Sequence, residues 1–216
     1  MSPADPTALR ASWHRRMHRL GVDPSPAAAE LADLVRAYSE PGRYYHTLGH
    51  VAQVLATLAE HGRRADNPAA LELAAWYHDV VYDSRAADNE ERSADHAGRV
   101  LGRLGLDPAL IAAVQGLIRD TKTHRPSGDA ADSRLFLDAD LAVLGAPEAE
   151  YNSYARAIRQ EYAWVPEPVY RVRRQDVLRR FLGRPRIYLT DALFAEREQR
   201  ARSNLAKEIR SLDGPA

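Results

Sequence analysis

Apolar residues recur along this chain at the three- and four-residue spacing that is typical of amphipathic helices. Val51, Val54, Leu55 and Leu58 show this spacing in a run that begins near Thr47. The same pattern, often with Pro, Asp or Asn in front of a run, predicts a series of further helices. They cover residues 26–38, 68–79, 88–104, 108–118, 133–144, 151–162, 169–182 and 191–212.

Strand signals are scarce. Residues 187–189 (IYL) form the one β-like run, which is too short to build a sheet. The chain shows no internal repeat, low-complexity tract or linker. We therefore predict an all-α fold, a multi-helix bundle, in a single domain over residues 1–216. Within it, the candidate chemistry lies in residues 43–145, and the C-terminal helices cover residues 147–212.

The composition fits a soluble globular protein and argues against several kinds of partner and site. Hydrophobic residues make up 45% of the 216 positions, enough for a sizeable core. The 30 basic residues balance the 30 acidic ones, which argues against nucleic acid or an anionic membrane as the main partner. No apolar run approaches the roughly 20 residues that span a bilayer, so we expect no membrane span and a cytoplasmic protein. Because cysteine is absent, disulfides and thiolate metal sites are excluded.

The strongest candidate for chemistry is the pair His78-Asp79, which ends an otherwise apolar predicted helix. Burying an imidazole beside a carboxylate costs free energy unless both groups are hydrogen-bonded, paired or bound to a cation. His50 upstream and Asp140 downstream also stand near apolar runs. Two imidazoles and two carboxylates offset the charge of a divalent ion. Without thiolates, that ion would be Mn, Fe, Co, Ni, Mg or Zn.

The order His50, His78-Asp79, Asp140 resembles the H…HD…D signature of the HD-domain superfamily of metal-dependent phosphohydrolases. Five segments resemble, more narrowly, the bacterial proteins described as predicted metal-dependent HD-superfamily phosphohydrolases. They are residues 43–50 (RYYHTLGH), 77–82 (YHDVVY), 89–94 (NEERSA), 136–141 (FLDADL) and 200–205 (RARSNL). The likeness therefore extends over most of the chain, and it implies an HD-domain-like helical bundle.

The resemblance also implies a reaction and its metal ligands. One divalent metal ion would be bound by His50, His78, Asp79 and Asp140, with positions left for water and a phosphate oxygen. The implied activity is hydrolysis of a phosphate ester or anhydride in a small phosphorylated metabolite, with a nucleotide as the leading candidate. A second metal is a further option. We favour one ion, since two-metal relatives carry another histidine soon after the His-Asp pair, where this chain has residues 88–91 (DNEE).

Side chains around these ligands are candidates for catalysis and substrate binding. Arg43 and His46 lie ahead of His50 at the predicted start of a helix, where free backbone N–H groups also favour an anion. His124 resembles the additional histidine that some HD proteins use for phosphate or a second metal. The predicted catalytic residues are Asp79, Glu90 and His46, and the predicted substrate ligands are Arg43, Lys122 and His124. Arg174 and Lys207 are left open as further pocket residues.

Two other functions remain open at this stage. An HD-fold di-iron oxygenase is a different reaction class, and it needs more protein ligands than the sequence supplies. A non-catalytic module that binds a metal or ligand for regulation would keep the fold without the reaction. The sequence also leaves open the substrate, the identity of the metal and whether the chain forms a homodimer.

Overall fold

The structure is a computed structural model that describes residues 6–63, 65–127 and 131–214. Over these residues the chain forms ten α-helices and no strand, and a short 3₁₀ helix, Leu141–Gly145, follows the seventh. The α-helices are α1 (Pro6–Arg19), α2 (Pro24–Ala37), α3 (Leu48–His61), α4 (Pro68–Tyr77), α5 (Asn89–Arg103), α6 (Pro108–Thr121), α7 (Ala131–Asp140), α8 (Glu148–Glu161), α9 (Glu167–Leu182) and α10 (Asp191–Leu212). The predicted all-α fold is confirmed. Within the described ranges, none of these helices combines the length and the apolarity needed to cross a membrane.

Most helix boundaries lie within three residues of the predicted ones, and α4 ends at Tyr77, ahead of the His78-Asp79 pair that was predicted to end it. Helix α3 begins after Thr47, whose hydroxyl accepts a hydrogen bond from the N–H of Gly49. Helix α2 begins at Pro24 rather than at residue 26, because the fixed φ of proline suits the first helical position. The helix predicted over residues 133–144 is α-helical only to Asp140 and then tightens into the 3₁₀ helix.

Helix α4 is buried over most of its surface. Of its 10 residues, seven are buried, so its apolar character extends all the way round. Trp76 packs edge-on against Trp13 of α1, with 5.3 Å between ring centroids, and its carbonyl accepts a hydrogen bond from Tyr38. The chain then passes directly into His78, which is 2% exposed. This packing carries the His-Asp pair into the interior.

The segment before α10 fixes the end of α7. Asp138 is fully buried and accepts hydrogen bonds from the backbone N–H groups of Leu189 and Thr190 and from the Thr190 hydroxyl. The Tyr188 hydroxyl donates to the carbonyl of Leu141 at 3.1 Å. The last turn of α7 is therefore held by hydrogen bonds on both sides of the candidate ligand that ends it.

The 3₁₀ helix lies directly against α10. Gly145 leaves no room for a side chain, because a Cβ there would lie 2.6 Å from the Cβ of Arg197. The side-chain amide of Asn204 donates to the carbonyls of Leu144 and Ala146 at 2.9 and 3.0 Å. These contacts bring one face of α10 close to the end of α7, and Arg197 lies on that face.

Candidate metal centre

The four predicted metal ligands meet at the C-terminal end of α4. His50 lies in the first turn of α3, His78 and Asp79 follow α4, and Asp140 ends α7. The Nε2 atom of His50 lies 3.0 Å from Nε2 of His78 and 2.9 Å from Oδ1 of Asp140. The Oδ2 atom of Asp79 lies 3.1 Å from Nε2 of His78 and 3.7 Å from Nε2 of His50. Ligand atoms of His50, His78 and Asp140 lie within 4.8 Å of one another and could hold a metal ion.

The spacing of these donor atoms fits a shared cation better than it fits hydrogen bonds. Donors about 2.1 Å from one ion lie about 3.0 Å apart in an octahedral site and about 3.4 Å apart in a tetrahedral one. Nε2 of His50 carries at most one hydrogen, yet both a ring nitrogen of His78 and an oxygen of Asp140 lie at hydrogen-bond distance from it. One nitrogen cannot pair well with both neighbours, whereas a cation accepts all the donor atoms at once.

Burial and charge act in opposite directions on the ionisable ligands. Burial raises the pKa of Asp79 and of Asp140, but the neighbouring histidines outweigh it and hold both pKa values below the usual carboxyl range. Burial lowers the pKa of His50. Burial also acts to lower the pKa of His78, but Asp79 and Asp140 outweigh it and raise that pKa. The carboxylates are therefore ionised, and a cation binding at His78 would release a proton.

A backbone carbonyl orients His78 from outside the cluster. Nδ1 of His78 lies 3.0 Å from the carbonyl oxygen of Ala75, one turn back along α4. The hydrogen of the neutral ring therefore stays on Nδ1, and Nε2 presents its lone pair to the cluster. Such a second hydrogen bond is usual for histidines that bind metals.

His124 lies beside the cluster, as its predicted role requires. Its Nε2 is 3.1 Å from Oδ2 of Asp140, whereas His50 faces the other oxygen of that carboxylate. His124 has a φ of 48°, the left-handed region that non-glycine residues rarely adopt. Arg184 donates to its carbonyl at 3.0 Å and to that of Thr123 at 3.0 Å. The chain thus holds a strained residue in place next to a candidate ligand.

Glu161, the last residue of α8, connects His46 to the backbone ahead of α3. Its Oε1 accepts hydrogen bonds from the N–H groups of Tyr44, Tyr45 and His46 at 2.8, 2.7 and 3.0 Å. Its Oε2 lies 2.6 Å from Nδ1 of His46 and 2.8 Å from the Tyr82 hydroxyl. Burial raises the pKa of Glu161, but these donors outweigh it and lower the pKa to about 2. The ionised carboxylate therefore fixes the His46 ring and occupies one of its two nitrogens.

Arg43 holds the backbone of the His-Asp turn. Its Nη1 donates to the carbonyl oxygen of Asp79 at 2.6 Å and to that of His46 at 3.3 Å, and its Nη2 donates to that of Val80 at 2.9 Å. The guanidinium also lies 5.5 Å from the centre of the Tyr82 ring. These contacts give Arg43 a structural task that the sequence did not indicate. Phosphate binding by Arg43 stays a prediction, now with both Nη atoms already engaged.

Replacing Arg43 by alanine is expected to lower the free energy of unfolding by about 3 kcal/mol, because three charge-assisted hydrogen bonds to backbone carbonyls are lost. Metal affinity should fall by roughly 10- to 100-fold, since the turn that carries Asp79 loosens. Chemical denaturation and metal titration check both effects. Arg36→Ala is the control, because Arg36 is exposed and pairs only with Asp33. Unchanged stability in Arg43→Ala would show that the His78-Asp79 turn is stable without Arg43.

Two predicted helpers, Glu90 and Lys122, are not paired with the cluster among the described residues. Glu90 is half-buried in the first turn of α5, and Lys122 is exposed at the C-cap of α6. Over the described part of the chain, neither forms a hydrogen bond or ion pair with a cluster residue. The two cations left open by the sequence are engaged elsewhere, in the pairs Arg174–Glu208 and Lys207–Glu148.

Solvent and a cavity reach the cluster from different sides. The side chains of His46, Asp79 and His124 are 20%, 18% and 25% exposed. A cavity of about 220 Å³ begins at His50 and Asp140 and is also lined by Tyr45 and Arg197. Nε of Arg197 and the Tyr45 hydroxyl are buried and have no hydrogen-bond partner among the described residues. Two residues that line this cavity therefore each carry a buried polar atom without a partner.

The sequence did not single out Glu161 or Arg197. A signal for Glu161 exists, because Tyr151, Tyr154, Ile158 and Glu161 follow helical spacing, and the carboxylate therefore falls on the apolar face of α8. The sequence instead favoured the next residue, Tyr162, for that face. Arg197 offers no such signal, since α10 contains several arginines and only packing against Gly145 distinguishes this one.

Comparison of the chain with protein-family models, with curated proteins and with solved structures found no match. The geometry of the site itself must therefore support any functional assignment.

Proposed function

We propose that this chain is a metal-dependent phosphohydrolase of the HD-domain type that acts on a small phosphorylated metabolite. One observation carries the proposal: the imidazole nitrogens of His50 and His78 and an oxygen of Asp140 converge at metal-ligand spacing, and the Asp79 carboxylate lies beside both histidines. The donor set suits Mn, Fe, Co, Ni, Mg or Zn. When bound, such an ion supplies Lewis-acid chemistry, because it activates water and offsets charge on a phosphoryl group.

His46 is the group that we assign to proton transfer. Its ring is stacked on Tyr82 with 4.2 Å between centroids, and its Nδ1 is held by Glu161, so Nε2 is free to take or give a proton. A histidine oriented by a buried carboxylate is a common arrangement for a general base. In this proposal Glu161 is a positioning residue. It fixes the tautomer and orientation of His46 and does not touch the substrate.

We assign the substrate anion to two other side chains. His124 lies next to Asp140 near the solvent-accessible side, where it can donate to a phosphoryl oxygen. Arg197 lines the cavity that begins at His50 and Asp140, and its guanidinium suits a second charged group of the substrate. Lys122 and Glu90 keep their predicted roles only if the substrate itself reaches them.

His124 is also the side chain that keeps a two-metal site under consideration. A second ion bound by His124 and the second oxygen of Asp140 would need further ligands. Among the described residues, the groups with metal-ligand spacing are the one at His50, His78 and Asp140 and an exposed one at Glu60, His61 and Glu196. We therefore propose one ion. A measured content of two irons per chain would favour the di-iron oxygenase instead.

The test is release of inorganic phosphate by protein that has been stripped of metal and then reloaded with one divalent metal at a time. We expect turnover of at least one substrate in a panel of nucleotides and other small phosphate esters, and loss of turnover on adding a chelator. His46→Ala should lower kcat by roughly 10²- to 10³-fold while the metal content stays unchanged. His18→Ala, which changes an exposed histidine of α1, is the matched control.

Two outcomes would count against the proposal. Absence of phosphate release with every metal and ester would favour the regulatory binding module. A metal content that falls together with activity in His46→Ala would show that His46 supports the ligands and does not transfer protons.

A further inference from the structure

A second cavity lies between α1, α3 and α4. Its volume is about 360 Å³, compared with about 220 Å³ for the cavity beside the metal ligands. Small-molecule sites usually measure roughly 300–1,000 Å³. Leu55, Leu58 and Leu71 give it an apolar lining. We call it the arginine groove after the four arginines that also line it, Arg15, Arg16, Arg19 and Arg63.

Positive charge is concentrated in the arginine groove. Arg16 donates two hydrogen bonds to Glu72, the one carboxylate in the lining, so these two charges cancel. Arg15, Arg19 and Arg63 have no hydrogen bond or ion pair with another residue in the described ranges. The chain as a whole has a formal net charge of zero. Three uncompensated cations around one cavity therefore create a local positive potential that attracts anions.

We propose that the arginine groove binds a small amphipathic anion, that is, a molecule with an apolar body and a carboxylate or phosphate head. The leucines remove the apolar body from water. The planar guanidinium groups offer paired donors that match a carboxylate or phosphate. A bare inorganic anion would leave the leucines unused, and a neutral apolar molecule would leave the arginines unused. The combination of both linings therefore selects a ligand with both parts.

The arginine groove and the metal ligands use opposite faces of α3. Gln53, Thr57 and Glu60 line the cavity beside the metal ligands, whereas Leu58 and Ala59 line the groove. At about 100° per residue, the two sets point about half a turn apart around the helix axis. Binding in the groove is therefore independent of the metal and of the proposed hydrolysis.

Isothermal titration calorimetry of the metal-free protein with octyl phosphate tests the proposal without binding or turnover at the proposed metal site, with inorganic phosphate as the head alone and octanol as the body alone. We expect octyl phosphate to bind at least tenfold more tightly than either probe. The double variant Arg15→Gln/Arg19→Gln should weaken binding at least tenfold. Ala59→Trp should do the same, because it fills the groove and keeps every charge. Arg10→Gln/Arg173→Gln is the control, since both arginines are exposed and lie outside the groove.

Equal affinity for octyl phosphate and inorganic phosphate would overturn the proposal, and so would full binding by Ala59→Trp. Sedimentation with vesicles containing phosphatidylglycerol separates a free amphiphile from a membrane surface. We expect no cosedimentation, and arginine-dependent cosedimentation without octyl phosphate binding would overturn the proposal in favour of a lipid surface. Asp79→Ala should bind octyl phosphate as the unmodified chain does, so this test fails or succeeds separately from the hydrolase assignment.

Discussion

Replacing Asp79 by alanine is expected to abolish metal binding and phosphate-ester hydrolysis while leaving the helix content nearly intact. Its Oδ2 lies 3.1 Å from Nε2 of His78, so the change removes both a donor atom and a negative charge. The backbone stays in place, because Arg43 still donates to the carbonyl of residue 79 at 2.6 Å. Loss of several kcal/mol of transition-state stabilisation corresponds to a fall in kcat/KM of roughly 10³-fold or more. Metal analysis, kinetics and circular dichroism measure the three effects.

The matched control for this variant is Asp95→Ala. Asp95 is exposed on α5 and pairs with Arg119 at 3.1 Å, so its removal should leave metal content and activity unchanged. A different result would refute the assignment: if Asp79→Ala unfolds when both proteins are compared without metal, the His-Asp pair is mainly structural. The regulatory binding module would then become the better description.

Replacing Glu161 by alanine is expected to lower the free energy of unfolding by about 4 kcal/mol. The side chain is fully buried and accepts hydrogen bonds from three consecutive N–H groups and from Tyr82, besides its contact with His46. Alanine leaves these donors without an acceptor in a place that water does not reach. For a chain of this length the melting temperature should fall by roughly 8–16 °C. Thermal and urea denaturation check the prediction.

Glu161→Gln separates the two tasks of this carboxylate. The glutamine oxygen can still accept from the backbone N–H groups, so most of the stability should remain. Its amide, however, would face Nδ1 of His46 as a donor and move the ring hydrogen to Nε2, so kcat should fall by roughly 10²-fold or more. Glu167→Ala, at the exposed start of α9, is the control. A loss of less than about 1 kcal/mol in Glu161→Ala would show that the N–H groups find other partners.

The meeting of these candidate ligands could be predicted because their order matches the H…HD…D signature and because His78, Asp79 and Asp140 stand at the ends of apolar runs. His78 and Asp79 stand at the end of the buried helix α4, and Asp140 ends α7. Helical spacing gave the fold class for the same reason, since burial of one face repeats along the chain. Asp138 shows where this reasoning stops. An acidic residue in an apolar run can be a metal ligand, as proposed for Asp140, or a buried carboxylate that accepts hydrogen bonds from backbone N–H groups, as Asp138 does. The sequence does not distinguish these two roles.

The supporting residues could not be predicted, because their partners lie far away in sequence. Glu161 contacts His46 across 115 positions, and Arg43 donates to the carbonyl of Asp79 across 36. Most of their acceptors and donors are backbone groups, which carry no signal in the amino-acid sequence. An arginine near a candidate metal ligand therefore predicts a phosphate contact. In the structure, however, Arg43 is buried and donates to carbonyl oxygens.

The hydrogen bonds that join the end of α7 to the start of α10 also bear on the order of events during synthesis. A ribosome releases a chain from its N-terminus, so His50 and His78 emerge before α8 and α10 exist. Asp138 lacks its backbone hydrogen-bond donor until Leu189 has been synthesised. The N–H of Tyr45, ahead of α3, likewise lacks its acceptor until Glu161 has been synthesised. The donor atoms therefore reach their final spacing only after α8 and the start of α10 have been synthesised. A nascent chain that lacks these two helices would hold the proposed ion weakly, so ion binding would follow their synthesis.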